Sequence, residues 1–406
     1  MQNFTLPIML TLATLITGCG GGSSDGEPTS ALAVIGDVPY GTGPGDNAQF
    51  LASPTFINAI NSDPDASLVL HVGDIHSGKQ YCTSDYDLSI YKQWTAFKSP
   101  VVYTPGDNEW TDCHKAKEGG GTYNAVTGQI VYKVDGSNNW IDYAGGDPIA
   151  NLELIRSIFF ASPGKTFGGA MNVHSQAQEY DIAHPSDSNY VENVWWAKSK
   201  TLFVTLNIPG GSNNDTDPWY GAPAMSPAQA REVTNRTAAN LRWLDSAFKQ
   251  ASANGAIAVV IQTQADMWDI DGVALSHITQ YKQFIDSIAS HATAFGKPVL
   301  LLNGDSHVYR SDNPLVQGAP CVIEPSSGAT AVACSSSNMS AGSNNPGDPY
   351  MTQPNGYNVP NFHRVVVHGS TTPLEWLKLT IDPNANAANG ADSFGPFRWK
   401  RIQPKL

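Results

Sequence analysis

The stretch Ser67-Leu68-Val69-Leu70-His71-Val72-Gly73-Asp74 is a short apolar run that stops abruptly at a Gly-Asp pair. Two other segments repeat the pattern: Ala31-Leu32-Ala33-Val34-Ile35-Gly36-Asp37 and Pro100-Val101-Val102-Tyr103-Thr104-Pro105-Gly106-Asp107. Continuous apolar runs of this length, bounded by turn residues, suit strands of a sheet covered on both faces. Helix-like segments lie between them. Ser53-Pro54 reads as a cap and first helical position before Phe56, Ile57 and Ile60, and Leu88, Tyr91, Trp94 and Phe97 recur at three-residue spacing. Strand, helix, strand, helix, strand predicts βαβ units and a parallel sheet.

The same grammar returns further along. Thr201 to Leu206 is strand-like, and Ser226-Pro227 opens a long helix through Val233, Leu241, Leu244 and Phe248 that Gly255 stops. Strands over Ala256–Ile261 and Val299–Leu302 follow, separated by a helix through Tyr281, Phe284, Ile285 and Ile288, and the second ends Asn303-Gly304-Asp305-Ser306-His307. Phe362–Val367 and Leu374–Ile381 alternate as a β-hairpin would. Residues 119–185 are rich in Gly, Asn and Tyr with little periodicity, and read as a loop insertion within a domain spanning 31–383. Residues 384–406 read as a tail.

Composition narrows the function. The 406 residues include 37 glycines and 27 prolines but only 15% charged residues, a balance of strands and long ordered loops. The formal net charge of −13 and the lack of any Lys/Arg cluster argue against binding a nucleic-acid backbone. At the N-terminus, an uncharged segment with an apolar stretch from Leu6 to Ile16 has signal-peptide length and is too short to span a bilayer. It ends Ile16-Thr17-Gly18-Cys19, which resembles a bacterial lipobox, and residues 20–30 read as a flexible tether. The expectation is an exported protein: lipid-anchored through Cys19 in a bacterial envelope (periplasm or outer membrane), or secreted. In such a compartment Cys82, Cys113, Cys321 and Cys334 should form disulfides, with three pairings open.

Asp37, Asp74, Asp107 and Asp305 all sit at C-terminal ends of predicted strands, the rim where open α/β sheets bind ligands. One strand-end Asp is ordinary turn chemistry. Four, with His307 two residues beyond Asp305, would repel one another unless a cation sat between them.

The order of these motifs resembles the calcineurin-like metallophosphoesterases, whose members carry DxH, GDxxxxG, GNH[DE], an isolated strand-end His and GHxH. Here stand Asp37-Val38-Pro39, Gly73-Asp74-Ile75-His76-Ser77-Gly78, Gly106-Asp107-Asn108-Glu109, Gln264 and Gly304-Asp305-Ser306-His307. The resemblance implies a four-layer αββα sandwich of two mixed sheets flanked by helices. It also implies two divalent metal ions and a water-driven attack on a phosphomonoester or phosphodiester, carried by a small molecule or a polymer. Asp37, Asp74 and His307 would hold one ion, and Asp74, Asp107, Asp305 and Gln264 the other; a one-residue shift of register would make Asn108 a ligand. Pro39, Asp107, Asn108, Gln264 and Asp305 replace residues of the family pattern, mostly exchanging imidazole nitrogen for oxygen. That donor set favours Mg, Mn or Ca, with Fe or Zn as alternatives. Asn108 and Glu109 occupy the catalytic motif, but Asn108 stands where a His should assist the leaving group. His76 and His114, close to motif positions, are the candidate acids. A protein of this fold that binds metal or a phosphorylated ligand without catalysis is the second reading. Cys82 and Cys113 follow the second and third motifs by eight and six residues, so both fall in neighbouring rim loops and should pair, leaving Cys321 with Cys334.

Overall fold

Neighbouring residues of a strand face opposite sides of its sheet, and in this protein both sides of both central sheets are covered. In the strand Ser30–Ile35, Leu32 and Val34 enter one apolar cluster while Ala33 and Ile35 enter another. A computed structural model describes residues 28–269, 275–325, 328–334, 356–370, 374–385 and 389–405. The leader expected at 1–19 and most of the 20–30 tether lie outside the described residues, and Ser30 already begins the first strand.

Two large mixed sheets stack face to face. The seven-stranded sheet has Ser30–Ile35, Ala66–His71 and Pro100–Tyr103 parallel at its heart. The nine-stranded sheet has Thr201–Thr205, Ala258–Gln262, Val299–Asn303 and Phe362–Val366 parallel. Leu32, Val34, Leu68 and Leu70 meet Phe203, Val260, Leu300 and Val365 between the sheets. Outside the first sheet, Ile35, Val69 and Tyr103 pack on Phe56, Ile60, Trp94, Ile155 and Phe159 of three helices, Ala48–Asn61, Ser84–Trp94 and Pro148–Phe159. Outside the second, Val204, Val259 and Leu301 pack on Trp243, Leu244, Phe284 and Ile288 of the helices Pro227–Ala253 and Lys282–Phe295. Three apolar layers between four structural ones make the expected αββα sandwich.

Several local expectations change. Ser53-Pro54 is not a helix start: the helix runs Ala48–Asn61 with Pro54 inside. Proline cannot donate to the carbonyl four residues back, and that Phe50 carbonyl instead accepts from the Gln93 side chain at 3.1 Å. Helix Ser84–Trp94 buries Asp87, Ile90 and Trp94 while Leu88 is half exposed, because a strict three-residue spacing drifts around a 3.6-residue turn. The 119–185 segment is not all loop: it holds the hairpin Gly121–Asn124/Gln129–Tyr132 and the helix Pro148–Phe159, whose start was written in Asp147-Pro148. Phe362–Val366 and Trp376–Ile381 are no hairpin: the first pairs with Val299–Asn303, the second with Ser30–Ile35 in the other sheet. Period-two alternation marks a strand but not its partner. The 384–406 segment contributes the strand Phe397–Ile402, with Phe397 and Trp399 buried between the sheets.

The cysteines pair Cys82–Cys113 and Cys321–Cys334. Replacing Cys82 and Cys113 by Ala should lower unfolding stability by about 2–4 kcal/mol, as expected on releasing a loop of this size, measured by denaturant titration against the oxidised protein. An unchanged midpoint would mean the bridge does not restrain the unfolded chain.

His71, His76, His114 and His363 are buried, and burial lowers each to about 4 by disfavouring the imidazolium. A free His titrates near about 6.5, so between the two values the unfolded chain binds more protons than the folded one. The stability these rings contribute is complete above about 6.5 and is lost as pH falls toward about 4. Buried carboxyls raised into the same window pull the other way, so the histidine contribution is read as a difference between proteins: relative to wild type, His71→Gln should gain melting temperature as pH falls from about 7 to about 5. A difference that stays constant across that window would show that the His71 ring carries its charge in the folded protein.

Candidate metal centre

The parallel strands of both sheets end at the same edge of the sandwich, and polar bonds stitch the two ends together. Gln262 Nε2 donates to the His71 carbonyl at 2.8 Å, and Thr104 Oγ1 to the Leu206 carbonyl at 3.2 Å. His71 is itself a clip: Nε2 donates to the Val38 carbonyl at 2.9 Å, while Nδ1 accepts from Gly73 N at 3.2 Å. It joins the Asp37 and Asp74 loops, a role no motif announced.

Beyond the strand ends the chain turns sharply. Asp37, Asp74, Asp305 and His307 all adopt left-handed backbone conformations, with φ of 50°, 62°, 75° and 62°. Such geometry costs a non-glycine residue about 1–3 kcal/mol and collects at functional sites. It brings the side chains back across the rim. One oxygen each of Asp37 and Asp74 and one ring nitrogen of His307 lie within 4.8 Å of one another. His307 Nε2 is 3.5 Å from Asp37 Oδ1, which also accepts from Asp305 N at 3.0 Å. Asp37 Oδ2 is buried with no hydrogen-bond partner. A Cβ on Gly106 would sit 1.9 Å from Asp74 Oδ1, so only glycine admits that carboxylate.

At the centre is a residue the sequence reading passed over. Tyr40 donates its hydroxyl to Asp74 Oδ2 at 2.5 Å, accepts from Asn108 Nδ2 at 2.7 Å and lies 3.2 Å from His307 Nε2. An aromatic three residues past Asp37 carries no signal beyond packing. Asn108 is turned inward, its Nδ2 also donating to Asp74 Oδ2 at 2.8 Å. Glu109 acts from behind: Oε1 accepts from Gly106 N at 2.6 Å, Asp74 N at 3.2 Å and the Tyr103 hydroxyl, fixing the loops that present Asp74 and Asp107.

Asp107 and Asp305 flank this group. Gln264 donates to Asp107 Oδ1 at 2.9 Å while its own carbonyl accepts from Gly210 N, so it braces Asp107 with its oxygen already engaged. Asp305 Oδ2 accepts from Asp266 N at 2.9 Å. Asp266 in turn accepts from Ser306 Oγ at 2.9 Å and pairs with the buried Arg364, which also grips Asp312. His76 and His114 do not join the cluster. His76 is fully buried against Tyr86, its Nδ1 3.2 Å from the Ser77 carbonyl; His114 packs edge-on to Tyr220 with Nδ1 unpartnered. Trp110 is core, with the Arg236 guanidinium over its ring.

Burial, reinforced chiefly by the negative charge of Asp107, holds Asp37, Asp74 and Asp305 well above the ordinary carboxylate range. Burial likewise raises Asp107 to about 6 and Glu109 to about 7. A divalent cation among them would reverse this logic by favouring the ionised forms. The orphaned Asp37 oxygen, the compact Asp37/Asp74/His307 set and the glycine at Asp74 therefore fit a metal ion.

Among curated proteins none matches this chain. A solved structure it is similar to is a purple acid phosphatase isolated from yellow lupin (Lupinus luteus) seeds, with a TM-score of 0.34 and 13% identity over 87% of this chain and 49% of that one, so the chain spans about half that relative's length. Residues 31–240, which hold Asp37, Asp74, Asp107, Asn108 and Glu109, match the calcineurin-like phosphoesterase family. That match covers more than half of the sequence and includes the strand ends that carry Asp37, Asp74 and Asp107, so the chain belongs to the calcineurin-like phosphoesterase family of metallophosphoesterase-type hydrolases.

Proposed function

We propose that this protein hydrolyses a phosphomonoester or phosphodiester outside the cytosol, with metal ions held at the strand-end rim. The observation that carries the reading is the convergence of Asp37, Asp74 and His307 around a buried, unpartnered Asp37 oxygen. Asp37, Asp74 and His307 would hold one ion, and Asp74, which feels the charge of Asp107, would join Asp107 and Asp305 in holding a second, with Gln264 keeping Asp107 in place. Tyr40, Asn108 and Glu109 orient Asp74. This oxygen-rich set suits Mg, Mn or Ca over Fe or Zn. When bound, such ions lower the pKa of a water and orient the phosphate.

The two disulfides support an oxidising compartment, and among the described residues no helix is long and apolar enough to cross a membrane. With the lipobox-like Ile16-Thr17-Gly18-Cys19, they favour export followed by anchoring through lipidated Cys19.

Asp74→Asn should cut bound divalent metal, read by elemental analysis of protein prepared without chelator, and should lower turnover of nitrophenyl phosphate esters by orders of magnitude. Full metal content in that variant would remove Asp74 from the site. If the wild-type protein binds metal yet turns over neither monoesters nor diesters with any divalent ion, the protein is a binder of this fold and not an enzyme. Arg364→Leu leaves Asp266 and Asp312 buried without their cation and should cost about 3–5 kcal/mol of stability. In denaturant titration a loss below about 1 kcal/mol would show that the Asp305 loop does not depend on this network.

A further inference from the structure

The family pattern places a proton-donating His at the position of Asn108, and neither His76 nor His114 reaches the cluster. An amide cannot give a proton to a departing alkoxide, and both contacts of Asn108 Nδ2 point inward to Asp74 and Tyr40. Its other edge faces Gly78. A Cβ built on Gly78 would lie 2.8 Å from Asn108 Oδ1, 3.2 Å from Glu118 Oε1 and 3.3 Å from Lys117 Nζ. Three polar groups thus converge on one small space that exists because residue 78 has no side chain.

The pair beside that space is unusual. Glu118 is fully buried and neither carboxylate oxygen has a hydrogen bond, while Lys117 beside it is 61% exposed with Nζ 3.5 Å from Glu118 Oε1. Of the other ammonium groups nearby, Lys115 is taken by Asp112, and Lys79 acts on His307. Burial first, then Asp112 and Asp107, push the Glu118 carboxyl well above its ordinary range, while Lys115 and Lys117 draw it back. Either protonation state leaves an oxygen that can accept from Lys117. Both residues belong to the short turn Ala116–Glu118, which follows the Cys113 bridge and is held to the hairpin by Lys133 Nζ at the Ala116 carbonyl, 3.4 Å away.

We propose that Lys117 is the group that serves the leaving oxygen in place of the missing His, with Glu118 as the buried positioning residue that aims it over Asn108. As water attacks, a new P–O bond forms and the P–O bond to the leaving group breaks. The Lys117 ammonium passes a proton to the departing oxygen, giving the alcohol, and the exposed amine takes one back from solvent, where the attacking water has released its own. This assignment rests on the hydrolytic function proposed above and adds the residue that sets which esters are cleaved.

The test uses the metal-loaded wild-type protein and three variants, Lys117→Ala, Lys117→Arg and Glu118→Gln, assayed on nitrophenyl phosphate and on an alkyl monoester such as glycerol 2-phosphate. General-acid help is worth about 10²–10⁴-fold, and an aryl leaving group needs little of it. Lys117→Ala should lower alkyl-ester kcat/KM by about 10²-fold, with a far smaller loss on the aryl ester and unchanged metal content. Added methylammonium should restore part of the alkyl activity to that variant, which no structural defect would allow. Lys117→Arg should lie between alanine and wild type, and Glu118→Gln should repeat the alkyl-selective loss with unchanged metal content. Equal losses on both ester classes, no loss on either, or no amine rescue would overturn the role of Lys117 while leaving the hydrolase reading intact. An inactive wild type would sink both.

Discussion

Five carboxylates, Asp37, Asp74, Asp107, Glu109 and Asp305, crowd one end of a two-sheet sandwich, and their repulsion is the constraint to which the surrounding structure answers. Buried negative charges at such spacing cannot all persist without protons or a cation. The protein supplies what neutral chemistry can: backbone N–H groups of Gly106, Asp74, Asp266 and Asp305, and the hydroxyls of Tyr40 and Tyr103. Arg364 reaches Asp266 and Asp312, one step behind the rim, and not the five themselves. Among the described residues no Lys or Arg forms an ion pair with any of the five, and a bound cation would supply the positive charge they need.

Holding carboxylates in that arrangement requires rigid supports. The strands beneath are apolar on both faces and locked between helices, so their ends are fixed to the precision of a packed core. The left-handed conformations of Asp37, Asp74, Asp305 and His307 persist because the layers around them over-determine the loops. Gln262 and Thr104 tie one sheet's edge to the other, and the His71 ring ties two loops of the first sheet, all with buried bonds. Stability at the core and strain at the rim are two sides of one design.

The loop from Gly106 to Glu118 concentrates the chemistry. It carries Asp107, turns Asn108 inward, places Glu109 behind Asp74, and is stapled at Cys113 to Cys82, both sulfurs lying near the Asn108 carbonyl at 3.5 and 3.3 Å. Only after that staple does the chain present Lys117. In a chain of net charge −13, the Lys117 ammonium beside this carboxylate-rich loop suits an electron-rich leaving group.

Local sequence determined the strands, their Gly-Asp endings and most helices, because apolar run length, caps and turn residues act within a few positions. Ser226-Pro227 did open a helix, its Ser226 Oγ accepting from Gln229 N, and Gly255 followed its end. The same locality explains the failures. Pro54 looked like a helix start because the Gln93 side chain that compensates for it lies far along the chain, and Phe362–Val366 alternated identically whichever sheet it joined. Motif order placed Asp37, Asp74 and His307 on one rim. Tyr40, His71, Arg364 and the Lys117–Glu118 pair carried no local mark. Their meaning lies in partners 34, 33, 98 and 39 positions away, between Tyr40 and Asp74, His71 and Val38, Arg364 and Asp266, Lys117 and Gly78, and those separations close only when distant strands assemble within a sheet and bring their end loops together. Short-range propensity fixes the elements, while burial and charge decide which distant side chains must meet.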